Sequence, residues 1–190
     1  MDNIITISGS EGSGKSTIIK YLQGKLNADR IDVGEIRREY AKTKGLTLEE
    51  LNKLAIDDPE SDVKIDNQTA IRARELAEKN LVIVGGRTQF HFLPESFKLY
   101  IKCDLDESAK RIWGDLQNNP NRNEGKINSL EELKKSLINR KESDLARYKK
   151  YYNLDHTDES QYDYVIDTSN ITTEEAIYIV LKKIKEKFTQ

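Results

Sequence analysis

Residues Gly9 to Ser16, GSEGSGKS, satisfy the pattern G-x-x-x-x-G-K-[ST]. In such a loop successive backbone N–H groups turn toward one point and, with the N-terminus of the helix that follows, form a cradle for phosphate oxygens. Lys15 supplies a cation at the β- and γ-phosphates of a nucleoside triphosphate, and the Ser16 hydroxyl supplies a ligand for Mg²⁺. The residues expected to hold that triphosphate are therefore Gly9, Ser10, Glu11, Gly12, Ser13, Gly14, Lys15, Ser16 and Thr17.

Arginines form the second set. Arg87 lies in GGRTQFH, directly after a short apolar run, and Arg37 with Arg38 opens a helical pattern. Fixed guanidinium forks of this kind suit a second phosphate, because Arg binds phosphate in a bidentate way that Lys cannot. Of the adjacent Arg37 and Arg38, only one is expected to face a cleft. A third group, Arg140, Asp144 and Arg147 in RKESDLAR, falls within about 60° of arc on a helix, beside the stripe Leu133, Leu137, Tyr148. That places it at a cleft edge, although a surface salt-bridge ladder is the alternative.

These groups need a scaffold. Ile4, Ile5 and Ile7 read as a strand entering the phosphate loop, and Ile18, Ile19, Leu22 and Leu26 as the helix leaving it. Further strands are expected at 30–33, 81–84, 97–103 and 162–166. Helices are expected at 35–44, 48–56, from 61 through Ala77, and at 106–117, 129–152 and 173–188. Capping boxes at Thr47/Glu50, Ser129/Glu132 and Thr172/Glu175 and a left-handed stop at Gly45 mark several ends. Strands alternating with helices imply a five-stranded parallel sheet covered on both faces, joined by right-handed crossovers. Arg87 then sits at the carboxyl edge, where open α/β sheets bind ligands. One domain spans 1–190, with a helical acceptor-binding insert at about 34–80 and a polar lid at about 118–128.

The 190 residues carry Lys+Arg 31 against Asp+Glu 33, so binding to nucleic acid through bulk charge is not expected. No apolar run approaches the roughly 20 residues of a membrane span, and no basic region precedes Ile4, so neither a span nor a secretory leader is expected. The lone Cys103 fits a reducing cytoplasm. A monomer acting on small molecules is the expectation.

The pattern resembles the P-loop nucleoside monophosphate kinases, and within them the short archaeal-type cytidylate kinases, through ITISGSEGSGKST, VGEIRREYAKTKGLTLEEL, DPESDVKID, VIVGGR, ESDLARYKKYYN and YDYVIDTS. The resemblance covers nearly the whole chain. It implies an α/β P-loop fold, a three-layer sandwich, that passes a phosphoryl group from ATP to CMP or dCMP with Mg²⁺. It also implies that Arg38 and Arg87 hold the acceptor phosphate, and that Arg140, Asp144 and Arg147 contact the acceptor and the transferring group. Lys15, Arg87, Arg140 and Arg147 are thus the implied catalytic residues. Arg111 is implied to lie against the adenine, with the loop Asp167 to Asn170 passing the same base, and Asp62 and Asp66 to take part in recognising the acceptor base.

Departures from the family pattern are specific. Gly85 stands where the family has a carboxylate at the end of strand three, Asp115 where relatives have a lid arginine, and Asn67-Gln68 where two arginines are common. Asp32 and Glu35 are the candidates to replace the missing carboxylate through water on the metal, and Arg122 the missing lid charge. Two other readings stay open: a kinase for AMP, UMP, a nucleoside or a metabolite, and a nucleotide-binding regulatory or assembly protein with little turnover.

Overall fold

Alternating burial of Ile4, Ile5, Thr6 and Ile7 against two opposite layers of helix produces the central strand, β1 (Ile4–Gly9), in which every residue is buried. In the computed structural model, which describes residues 3–55, 60–118 and 127–188, four more strands join it. They are β2 (Asp29–Asp32), β3 (Val82–Gly85), β4 (Phe97–Lys102) and β5 (Tyr164–Asp167). All pairings are parallel, in the order β2-β3-β1-β4-β5, with Ile5 opposite Ile83 and Ile7 opposite Leu99.

The period of two assigns each strand residue to a layer. Ile5, Ile7, Ile83, Leu99 and Ile101 pack on α1 (Lys15–Leu26) and α8 (Thr173–Phe188), through Ile18, Ile19, Leu22, Ala176, Val180 and Ile184. On the other face Ile4, Val82 and Val84 meet Ala70, Ala73 and Ala77 of α4 (Glu60–Ala77), whose small side chains let the helix approach the sheet. Full burial of each isoleucine stabilises the fold by about 1.5–3 kcal/mol.

Around this sandwich lie α2 (Val33–Thr43), α3 (Leu48–Leu54), α5 (Gln89–Phe92), α6 (Leu105–Asn118) and α7 (Leu130–Tyr152). Ala109 and Ile112 of α6 pack on Leu133 and Leu137 of α7. Tyr148, farther along α7, joins Phe90, Tyr100, Leu154 and Tyr162 over the sheet.

Several ends differ from the sequence reading for physical reasons. The strand expected at 30–33 stops at Asp32, because the Asp32 carboxylate caps α2 by accepting the Glu35 N–H at 3.2 Å. Thr47/Glu50 and Thr172/Glu175 form reciprocal boxes. At Ser129 only half of the box closes, since the Glu132 carboxylate accepts from Asn128 N–H at 2.8 Å, one residue upstream. The one-turn α5 and a 3₁₀ turn at Glu159–Gln161 are too short to show a period and were not expected. Residues 119–126, the greater part of the expected lid, lie outside the described residues, and Arg122 with them.

β1 and β3 are adjacent, yet the segment after β1 leads to β2 on one side and the segment after β3 leads to β4 on the other. Such a reversal opens a crevice at the carboxyl ends of the two strands.

Candidate active site

The phosphate loop bridges β1 and α1 at that crevice. Gly9 has φ 150°, and a Cβ there would stand 1.9 Å from the Ile101 carbonyl oxygen. Gly12 has φ 66°, with a Cβ 2.7 Å from the Ser108 carbonyl oxygen. Neither position admits a side chain without moving backbone. Thr168, after β5, ties the loop to the sheet, its Oγ1 lying 3.1 Å from Ser13 O and 3.0 Å from Lys102 O. Lys15 Nζ donates to Gly9 O at 2.9 Å and to Ser10 O at 3.1 Å. Burial, and after it the Arg87 charge, pushes the ammonium down to about 8.

A cavity of about 500 Å³ extends from this loop to α2, α3 and α7. Among the described residues seven cations line it, Lys15, Arg37, Arg38, Arg87, Arg111, Arg140 and Arg147, against five carboxylates, Glu11, Asp32, Asp66, Asp115 and Asp144. Arg37 and Arg38 both line it, contrary to the expectation that only one could. Arg37 turns onto Asp62 and Asn52 and Arg38 lies over Gly34, so two side chains about 100° apart on α2 both border the cavity.

Half of these charges, together with Asp62, form one chain of ion pairs. The Arg87 guanidinium joins Glu11 of the phosphate loop to Asp144 of α7. The second Asp144 oxygen accepts from Arg147 Nη2 at 2.6 Å, and Arg147 Nε lies 2.7 Å from Asp62 Oδ2. Asp62 in turn pairs with Arg37, which also donates to Asn52 Oδ1 at 2.8 Å. Arg140 Nε stands 3.7 Å from Glu11 Oε1. Burial alone would raise the Glu11 carboxyl, but Arg87 and Arg140 outweigh it and hold it at about 2. Burial also lowers Arg37 from its ordinary value.

The expected residues thus separate by position. Lys15, Ser16, Arg38, Arg87, Arg140, Asp144 and Arg147 all reach the cavity. Asp62 is buried behind its wall, paired with Arg37 and Arg147. Asp66 reaches the cavity but accepts hydrogen bonds from Thr88 Oγ1, Gln89 Nε2 and Tyr152 Oη at 3.0, 2.8 and 2.9 Å, with burial raising its pKa. Of the two candidate metal carboxylates, Asp32 lines the cavity beside the Gly85 backbone, where a Cβ would lie 3.7 Å from Asp32 Cγ. Glu35 is drawn off by Arg30, which donates to both its oxygens at 3.0 and 2.8 Å. Arg111 lines the cavity and donates to Thr168 O at 2.6 Å, beside the loop 167–170.

This arrangement places a triphosphate cradle and a dense arginine set on one cavity, which is the requirement for moving a phosphoryl group between two phosphates. The model of the cytidylate kinase-like family matches residues 4–170. The chain belongs to that family. A cytidylate kinase of Methanothrix thermoacetophila is 36% identical to it over 182 residues, covering 96% of this chain and 98% of that one. An S-adenosylmethionine-dependent nucleotide dehydratase of Lacinutrix mariniflava is 32% identical over 183 residues, 96% of this chain but 36% of its own, so that likeness spans one part of a longer protein. Among solved structures the kinase is similar in fold to shikimate kinase from Bacteroides thetaiotaomicron, with 19% identity, a TM-score of 0.58 and 98% of each chain covered.

Four features of the kinase site escaped the sequence reading: Arg37, held by Asp62 and Asn52, the Arg30–Glu35 pair, the Thr88-Gln89-Tyr152 cage around Asp66, and the ionic bond from Glu11 to Arg87. Only Arg30 and Glu35, five residues apart across the β2–α2 junction, left a local signal.

Proposed function

We propose that the kinase transfers the γ-phosphoryl group of ATP to the phosphate of a pyrimidine nucleoside monophosphate, CMP or dCMP, giving the diphosphate and ADP. The observation that carries the reading is the single cavity shared by Lys15 and the loop at one end and by Arg38, Arg87 and Arg140 at the other. Membership of the cytidylate kinase-like family supports the choice of base.

The acceptor phosphate oxygen forms a bond to the γ-phosphorus as the bond from that phosphorus to the β,γ-bridging oxygen breaks, the electrons leaving with ADP. In such a transfer the protein positions the two groups in line and neutralises charge on the equatorial oxygens. Lys15 and the loop N–H groups hold the β- and γ-phosphates, Arg38 and Arg87 hold the acceptor, and Arg140 borders the space between. Asp144 fixes the forks of Arg87 and Arg147. Arg147 and Asp62, both buried, serve as positioning residues behind that layer.

The residues present fit Mg²⁺ held mainly by phosphates and water. Among the described residues no group of three His, Cys, Asp or Glu gathers to bind an ion, while the Ser16 hydroxyl and the Asp32 carboxylate both face the cavity at the loop. Ser16 would ligate the ion directly and Asp32 through water. When bound, the ion neutralises charge shared by the β- and γ-oxygens.

The reading takes the protein as a cytoplasmic monomer acting on small nucleotides, with neither nucleic acid nor membrane as partner. The net charge of -2 and the lone Cys103 support this, and among the described residues no helix is long and apolar enough to cross a membrane. Coupled measurement of ADP release over CMP, dCMP, UMP, AMP, nucleosides and shikimate tests the acceptor. Release fastest with CMP or dCMP is the expected result. Release favouring another acceptor changes the substrate, and ATP binding without acceptor-dependent release points to a regulatory protein.

A further inference from the structure

Glu11 is the one carboxylate contributed by the phosphate loop itself, and it faces the arginines across the cavity. Its Oε1 pairs with Arg87 and stands 3.7 Å from Arg140 Nε, with the Glu11 and Arg87 side chains each 15% exposed. Gly12 beside it is fixed against Ser108, and Ser13 Oγ donates to Ser10 O at 2.8 Å, so the loop holds this carboxylate in place from both sides. Arg87, one of the two guanidiniums read as holding the acceptor phosphate, and Arg140, which borders the transfer space, are therefore already faced by an anion of the donor site.

We infer that Glu11 is a positioning residue that occupies the place of a phosphate between Arg87 and Arg140, and so makes tight binding of the acceptor depend on prior binding of the donor. The inference rests on the acceptor reading above for the identity of the second phosphate, and on the loop geometry alone for the competition.

Two steps produce the dependence. An acceptor phosphate arriving first must displace a carboxylate held by two guanidiniums, and the cost appears as weakened affinity. A dianionic phosphate with bidentate contacts is the stronger partner of Arg, so displacement is possible but unfavourable by comparison with open arginines. When a triphosphate fills the loop, its charge lies beside the Glu11 carboxylate in a poorly hydrated site, and like-charge repulsion there is strong. The carboxylate then yields Arg87 to the acceptor phosphate and Arg140 to the space between the two phosphates. By linkage the acceptor must strengthen donor binding by the same factor. Asp144 keeps its hold on Arg87 throughout, so the guanidinium turns about a fixed partner and stays in the cavity.

The test is Glu11→Gln, which keeps the shape and removes the charge, with Glu11→Ala as a second variant whose effect must have the same sign. Titration calorimetry gives Kd for CMP alone and with a saturating non-hydrolysable ATP analogue. In the parent protein the analogue is expected to tighten CMP binding by about 5- to 50-fold, within the usual range of coupling between sites. In Glu11→Gln, CMP alone should bind about 5- to 10-fold more tightly and the analogue should add less than 2-fold. Inorganic phosphate, scored by protection against thermal unfolding, reads the same competition without a base, and its apparent Kd should fall in both variants. If neither protein binds CMP but phosphate binds the variants more tightly, the acceptor reading fails and the role of Glu11 stands. Unchanged or weakened phosphate and CMP binding in both variants, each still melting cooperatively, overturns the inference.

Discussion

Arg147 Nε lies 2.7 Å from Asp62 Oδ2, and each of the two side chains is 1% exposed. The pair joins α7 to the start of α4 across 85 positions of sequence. A buried ion pair of this kind contributes little net stability compared with apolar packing, but removal of one member strands the other charge. Asp62→Asn should therefore lower stability by about 2–4 kcal/mol, which for a chain of this size is roughly 5–15 °C in Tm. Below the transition the KM for the acceptor should rise while that for ATP stays within about 2-fold, because Arg37 and Arg147 border the acceptor end. Thermal melting and steady-state kinetics read the two effects, and an unchanged Tm would show that Asp62 does not hold Arg147.

Lys15 reaches back to Gly9 O and Ser10 O, yet the loop is fixed independently by Gly9 against Ile101 and by Thr168. Lys15→Ala should consequently leave Tm within a few degrees and lower kcat by about 10²- to 10⁴-fold, through loss of a cation at the β,γ-oxygens. Near-normal turnover in this variant would remove the loop from the chemistry.

His156 supplies a pH dependence with a definite sign. It is buried edge-on against Tyr148, and burial first, then the Arg87 charge, pushes its pKa down to about 3. The unfolded chain takes up a proton near pH 6.5 and the folded one does not. The contribution of neutral His156 is complete above pH 6.5 and declines as pH falls toward 3, by about 1.4 kcal/mol per unit. Between pH 6 and 5, above most carboxylate titrations, chemical denaturation should show the parent losing about 1 kcal/mol more than His156→Gln. Parallel losses would show that His156 is hydrated.

Legibility in the sequence followed distance along the chain. β1, the phosphate loop and α1 are contiguous, so apolar period, glycines and Lys15 reported one another, and the helix starts at Thr47 and Thr172 were carried by pairs three residues apart. The side of α7 that bears Asp144 and Arg147 could be read from Leu133, Leu137 and Tyr148, because a helix fixes the angle between its own residues. The partners of that side could not. Arg147 meets Asp62 and Asn52, and Arg87 meets Glu11, only after the sheet order has brought β1, β3, α3, α4 and α7 together. Asp66 looked like a group for the acceptor base, yet three donors from α5, α7 and the end of β3 share its oxygens. What separates Asp32 from Glu35 is the fork of Arg30 on Glu35, which leaves Asp32 alone of the two on the cavity.

Phosphoryl transfer between two nucleotides across one cavity leaves its mark in the product. Incubation with ATP labelled at the γ-phosphate, Mg²⁺ and unlabelled CMP should place the label in the β-phosphate of CDP, with one ADP formed per CDP and transfer by Lys15→Ala slowed by about 10²- to 10⁴-fold. Label recovered only as inorganic phosphate, at the same rate with and without CMP or dCMP, would contradict the account.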